Sequence, residues 1–194
     1  MICSMFGHRD CSDDIYLYLR RAMEILIEDF GVTCFYIGYN GNFDKIAYYT
    51  LSELVKEYEH VKFRVVAAYM PRSLSLALKE NSLLITYPEG FEDIPKSVAI
   101  PRRNRWMVEQ SDFVLGYVKF PFGGAATAFD YAKKKKKQCF NLASPDTDTQ
   151  FGKAWHDDFE VTEIIDAVVE LQRSPLNKEE REYYLNLFPI DKNE

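Results

Sequence analysis

Apolar positions along this chain follow two alternating patterns. Short apolar runs rich in β-formers occur at residues 1–6, 33–37, 62–68, 83–86, 113–118 and 138–142. Each is too short for a helix and reads as a strand. Between them, apolar residues recur at three-to-four spacing, as at Ile15, Leu19, Ala22, Met23, Leu26, Ile27 and Phe30. The same period holds at Phe43, Ile46, Ala47, Leu51, Leu54, Val55 and Tyr58. Residues 98–110 and the stretch from Ala125 through Phe129, Tyr131 and Ala132 complete the set of helices. Ser12 or Asp13 can cap the first helix and Gly31 ends it.

Strands alternating with amphipathic helices predict an α/β fold, a Rossmann-like three-layer sandwich with a mostly parallel central sheet. This reading covers residues 1–145 as one domain. Residues 146–194 read as a helical C-terminal tail packed on that domain or on a partner subunit. It breaks at Ser174-Pro175 and carries Tyr183, Tyr184, Leu187 and Phe188 near its end.

Glycine-containing loops follow three of the strands. They are Gly7-His8-Arg9-Asp10, Gly38-Tyr39-Asn40-Gly41-Asn42 running on to Asp44, and Phe122-Gly123-Gly124 with Ala125, Ala126 and Thr127 behind it. In a parallel sheet all three fall on the rim where ligands gather, at the carboxyl ends of the strands. A glycine turn opening a helix leaves N–H groups facing a crevice with no Cβ in the way, and no acid in that first turn repels an anion. Asp44 suits ribose hydroxyls, although an ordinary first-turn acid satisfied by the helix dipole explains it as simply. Tyr39 and Phe43 could stack on a base, and core packing explains Phe43 equally well. Arg103 is placed to fork onto a phosphate near the Gly-Gly turn, while Arg102 reads as a solvated charge. Asp130 could serve as base, or stabilise an oxocarbenium-like centre, in cleaving an N-glycosidic bond, or be a plain surface acid. The lysines at 133–137 read as a solvated helix end.

Composition narrows the picture. The formal charge of −6 argues against a general nucleic-acid or anionic-membrane binder. Cys3, Cys11, Cys34 and Cys139 form no CxxC pair, and His8, His60 and His156 show no ligand spacing. No metal and no cofactor is therefore expected. No apolar stretch approaches a membrane span or a leader, so a cytoplasmic protein is expected. The 14 Phe and 13 Tyr residues predict that some aromatics lie at an interface between copies, as in a homodimer or larger homo-oligomer.

Taken in order, GHRD, the G-x-N-G-N-F-D loop, RNRWMVEQSD and GGAA resemble the SLOG superfamily. More narrowly, they are similar to the small bacterial and phage SLOG-domain proteins of the "GHR" type. The resemblance spans residues 1–142 and implies binding of a nucleotide or an ADP-ribose-type or cyclic signal. The superfamily includes the Lonely Guy phosphoribohydrolases, whose pattern R-K-x-x-M…D, strand, P-G-G-x-G-T-x-x-E is partly kept. Arg103, Met107, Asp112, Gly123, Gly124 and Thr127 fall in register. Asp130 stands at the catalytic Glu position, Ala126 at the third Gly, and Phe122 where the proline would be. An Asp reaches about one methylene less far, and a misplacement of about 1 Å can cost 10²-fold.

The favoured reading is a sensor or sequestering protein for a nucleotide-type small molecule. Phosphate is expected on residues 123–127 with Arg103, ribose near Asp44, and the base near Gly7, His8, Arg9 and Tyr39. The alternative is a Lonely Guy-like phosphoribohydrolase using Arg103 and Asp130. A third reading is an interaction protein with a vestigial pocket.

Overall fold

A computed structural model describes residues 1–69 and 85–144. The predicted tail helices, and residues 83–84 of the weakest predicted strand, lie outside the described residues. The strands are β1 (Ile2–Gly7), β2 (Cys34–Ile37), β3 (Lys62–Val66), β4 (Ile85–Thr86), β5 (Phe113–Tyr117) and β6 (Gln138–Asn141). The helices are α1 (Tyr16–Glu28, preceded by a 3₁₀ turn at Asp13–Ile15), α2 (Asn42–Glu57), α3 (Lys96–Gln110) and α4 (Gly124–Lys134). Every strand pairing is parallel, in the order β4-β3-β2-β1-β5-β6. The chain is thus an α/β Rossmann-like sandwich, as its alternating pattern predicts.

Strand alternation divides the core into two layers. Cys3, Met5, Phe35, Ile37, Phe63, Val65, Phe113 and Leu115 face α1 and α2, packing with Leu19, Met23, Leu26, Phe43, Ile46, Leu51 and Leu54. Phe6, Val66 and Val114 point the other way, onto Met107 and Val108 of α3 and Ala128, Phe129 and Ala132 of α4. Tyr36 stacks on Trp106 across that second layer, with centroids 5.6 Å apart.

Few polar links cross the core, and they fix where the helices sit. The hydroxyls of Ser4 and Ser111 both donate to the Met107 carbonyl, at 2.9 and 2.7 Å, holding the end of α3 on β1. Asp112 starts β1 by accepting the Ile2 N–H on Oδ2 at 2.9 Å. On the opposite face Arg20 grips Glu57 through two bonds of 2.7 and 2.9 Å, joining α1 to α2. Pro101 is the sixth residue of α3, past the first turn, so its missing N–H removes one intrahelical bond, the one that would reach the Ser97 carbonyl.

Two glycines show different reasons for lacking a side chain. A Cβ on Gly7 would lie 2.1 Å from Cγ of Phe43, a fully buried ring that cannot step aside. Gly31, just past α1, sits at φ 67° with open space around it. Gly7→Ala is expected to cost about 2–3 kcal/mol by overpacking, against about 1 kcal/mol of backbone strain for Gly31→Ala. Urea denaturation of both variants checks this; equal midpoint shifts would show that the Phe43 contact is soft.

Candidate functional site

The sheet reverses its winding between β1 and β5: the chain moves outward through β2, β3 and β4 on one side, then returns to add β5 and β6 on the other. Loops leaving the two strands diverge at such a point and open a crevice. Here the crevice has a volume of about 490 Å³. One wall is built by the β1 loop and the end of β2, a second by α3, and a third by the segment from Phe120 to Ala125 at the start of α4.

The first two loops are tied to each other before they meet any ligand. Asn42 donates its N–H to the Arg9 carbonyl at 2.8 Å and its side-chain amide to Cys11 O and Asp13 Oδ1 at 2.9 and 2.7 Å. Gly41 takes φ 133°, and a Cβ there would sit 2.7 Å from Cα of Arg9. This close backbone approach explains the second glycine of the loop. His8 fastens the third segment: its Nε2 accepts the N–H groups of both Lys119 and Phe120 at 3.0 Å. An acceptor at Nε2 requires the neutral ring with its proton on Nδ1.

Arg103 lies at the centre of the site. Ala99, Arg103 and Met107 recur every four residues on the buried stripe of α3, and Arg103 is only 4% exposed. Its Nη1 donates to the Val66 carbonyl at 3.0 Å, and its guanidinium lies 5.9 Å from the Tyr39 ring centroid. Gly38 makes room for it, because a Cβ there would be 2.6 Å from Nη1 and 2.5 Å from Oδ2 of Asp44. Asp44 accepts the Asn40 N–H at 2.8 Å. Burial pushes the Asp44 carboxyl above its ordinary range, opposed by Arg103 and by the N–H groups of Asn40 and Gly38. Burial lowers the Arg103 guanidinium in turn, opposed by Asp44. Each charge offsets the other's desolvation. Three buried polar atoms of cleft residues have no hydrogen-bond partner: Nε of Arg103 and Oδ1 of Asn40 and Asn104.

Across the crevice, α4 begins with Gly123 as its N-cap at φ 91° and no acid in its first turn. Gly123 and Gly124 are both exposed. The N–H groups that open a helix have no carbonyl behind them, so this end presents donors and a positive dipole to the crevice. Formal charge does not select an anion here, because Arg9 and Arg103 are balanced by Asp10 and Asp44 among the lining residues. Any preference for an anion rests on the helix end.

Of the residues singled out in the sequence, Gly7, His8, Arg9, Gly38, Asn40, Asp44, Arg103, Gly123, Gly124 and Ala125 line the crevice. Tyr39, Gly41, Asn42, Ala126, Thr127 and Asp130 are not among the lining residues. Tyr39 packs behind Arg103 and against Tyr69. Thr127 turns its hydroxyl back to the Gly123 carbonyl at 3.0 Å, within its own helix. Asp130 is exposed on α4, whose inward residues are Ala126, Ala128, Phe129 and Ala132. The side chain within 4.0 Å of a Cβ built on Gly124 is Asn104, not Arg103. The guanidinium thus belongs to the β2–β3 side of the crevice rather than to the glycine turn. Met5, Phe6, Asp10, Ile100, Asn104, Met107, Phe120 and Phe122 complete the lining without having been singled out as binding residues. For Asn104 the signal was its place one residue after Arg103, at the edge of the buried stripe. The lysines at 133–137 lie at the far end of α4, where Lys133 and Lys135 cover Phe129 and Tyr131.

No protein-family profile and no curated protein matches the chain. Among solved structures it is similar to DNA processing protein A (DprA) from Streptococcus pneumoniae. The TM-score is 0.53 at 13% identity over 77% of this chain. The chain spans about half of that protein, 54% of its length. The likeness carries the Rossmann-like fold and no ligand. No helix among the described residues is long and apolar enough to cross a membrane.

Mutual offset of Arg103 and Asp44 has a measurable consequence. Arg103→Met and Asp44→Asn are each expected to destabilise by about 2–4 kcal/mol, since each strands the other group. The double variant should recover about 1–2 kcal/mol of the sum, the coupling expected of two neighbouring opposite charges that share a desolvated site. Strict additivity in a denaturation cycle would show that the two do not interact.

Proposed function

We propose that the chain is a SLOG-type binding domain for a nucleotide or a nucleotide-derived signal, acting as a sensor or a sequestering protein. The observation that carries this is the pairing of two features across one crevice at the winding reversal. On one side is a helix end free of acids, opened by exposed Gly123 and Gly124. On the other is a polar wall of buried Arg103 and half-buried Asp44, Asn40 and Asn104, in which Nε of Arg103 and Oδ1 of Asn40 and Asn104 have no hydrogen-bond partner. Phosphate sits at the N–H groups of Gly124 and Ala125, and ribose hydroxyls meet Asn40 and Asp44. Arg103 acts mainly by holding Asp44 and the β2 loop in place. The sequence order GHRD, G-x-N-G-N-F-D, RNRWMVEQSD and GGAA supports the same family reading.

The phosphoribohydrolase alternative has less behind it. Asp130, its acid–base residue, is exposed on α4 and outside the crevice lining. Asp130→Asn is accordingly expected to leave ligand affinity unchanged. The formal charge of −6 favours a small ligand over a polyanionic strand. A homo-oligomer remains part of this reading, and sedimentation velocity checks it.

Gly124→Asp tests the anion site without threatening the fold. The nearest side-chain atom to a new Cβ is Asn104 Nδ2 at 4.0 Å, and a first-turn carboxylate suits a helix dipole. A thermal-shift screen against AMP, NAD, ADP-ribose and cyclic dinucleotides is expected to find a stabilising ligand, worth about 2.7 kcal/mol at 100 times its Kd. The variant should keep the melting temperature of the free protein and lose that shift. A full shift in Gly124→Asp, or none in the native protein, would overturn the proposal.

A further inference from the structure

At the mouth of the crevice two aromatic side chains are spent on no core. Phe122 is 67% exposed and Phe120 43% exposed, among the few large apolar side chains the described residues leave outside. They stack on each other, with centroids 5.5 Å apart and planes 16° from parallel. Both line the crevice, directly before Gly123-Gly124. The segment is held from behind: His8 Nε2 accepts the N–H groups of Lys119 and Phe120, and its ring leans on Phe120 at 5.3 Å. Lys119 Nζ lies 5.9 Å from the Phe120 ring. A ring pinned in this way loses little freedom when another flat ring joins it, so the stack is preorganised.

We propose that Phe122, backed by Phe120 and His8, is the stacking platform for a planar heteroaromatic ring whose attached phosphate lies at Gly124 and Ala125. This rests on the anion-site reading above and adds to it the position of the base. Three observations favour a ligand ring over a second copy of the chain as the occupant. The pair opens into the crevice and shares its lining, it adjoins the helix end that would take the phosphate, and two rings make too small a patch for a stable interface between proteins. Stacking is tolerant of which base is bound, so the platform selects for a flat ring without naming it. The base thus moves from the Tyr39 side of the crevice to the opposite rim, since Tyr39 packs behind Arg103.

Isothermal titration with AMP, ribose 5-phosphate and adenosine separates the two claims. Phe122 is exposed, so Phe122→Ala should fold normally. It is expected to weaken AMP roughly 5- to 100-fold while leaving ribose 5-phosphate unchanged, the range that alanine substitution gives for one stacked base. Phe122→Trp should restore AMP binding, and Gly124→Asp should weaken both phosphate ligands. If Phe122→Ala binds AMP as the native protein does while Gly124→Asp does not, the platform is wrong and the anion site stands. If adenosine binds and is lost in Phe122→Ala while ribose 5-phosphate never binds, the platform stands and the anion site falls. No binding of any of the three to the native protein overturns both. An oligomer that falls to monomers in Phe122→Ala would assign the pair to a subunit interface and overturn the platform.

Discussion

A guanidinium placed inside a small α/β domain constrains everything around it, and Arg103 has that position here. Taking a charge out of water is costly unless opposite charge and hydrogen bonds replace the lost solvent. Arg103 has Asp44 beside it, the Val66 carbonyl at 3.0 Å and the Tyr39 ring at 5.9 Å. These partners come from the ends of β2 and β3 and from the start of α2, so the arginine draws α3 against three other elements. Gly38 is required because Asp44 and Arg103 fill the space its side chain would take. One crevice wall is therefore rigid by construction.

The opposite wall is made on another principle. It contains backbone rather than buried charge: the open end of α4, preceded by a loop that His8 pins through two N–H groups. A polar side-chain wall facing a donor-rich backbone wall suits a ligand with an anionic end and hydroxyls a few ångströms away. The likeness to DNA processing protein A supports the scaffold alone. Scaffolds of this type host many chemistries, so function has to be argued from these two walls.

Much of the fold was legible because strands and helices carry different periods. The predicted strand at 113–118 and the observed β5 at Phe113–Tyr117 differ by one residue, and the other boundaries shift by similar amounts. The glycine rim was legible for the same reason, since glycine loops at the ends of parallel strands fall on one edge. Side-chain direction was much less so. Tyr39 and Asn42 sit in a rim loop, but one turns inward onto Arg103 and the other ties the loops together. Spacing alone does not reveal those contacts. Asp130 was assigned through motif register, whereas the inward face of α4 passes through Ala126, Phe129 and Ala132 and leaves residue 130 outside. Arg103 could have been recognised as buried from its four-residue spacing with Ala99 and Met107. Phe120 and Phe122 lie in an irregular segment, where no period signals which way a ring points.

The central claim is that an anion binds the opening of α4. Amide chemical shifts report that directly, because a phosphate accepting an N–H moves its proton and nitrogen signals. An NMR titration of the full chain with AMP is the most direct measurement. The account predicts saturable shifts largest at Gly124 and Ala125, followed by the Arg103 Nε–H. Shifts centred on any other surface, or none at millimolar ligand, would contradict it.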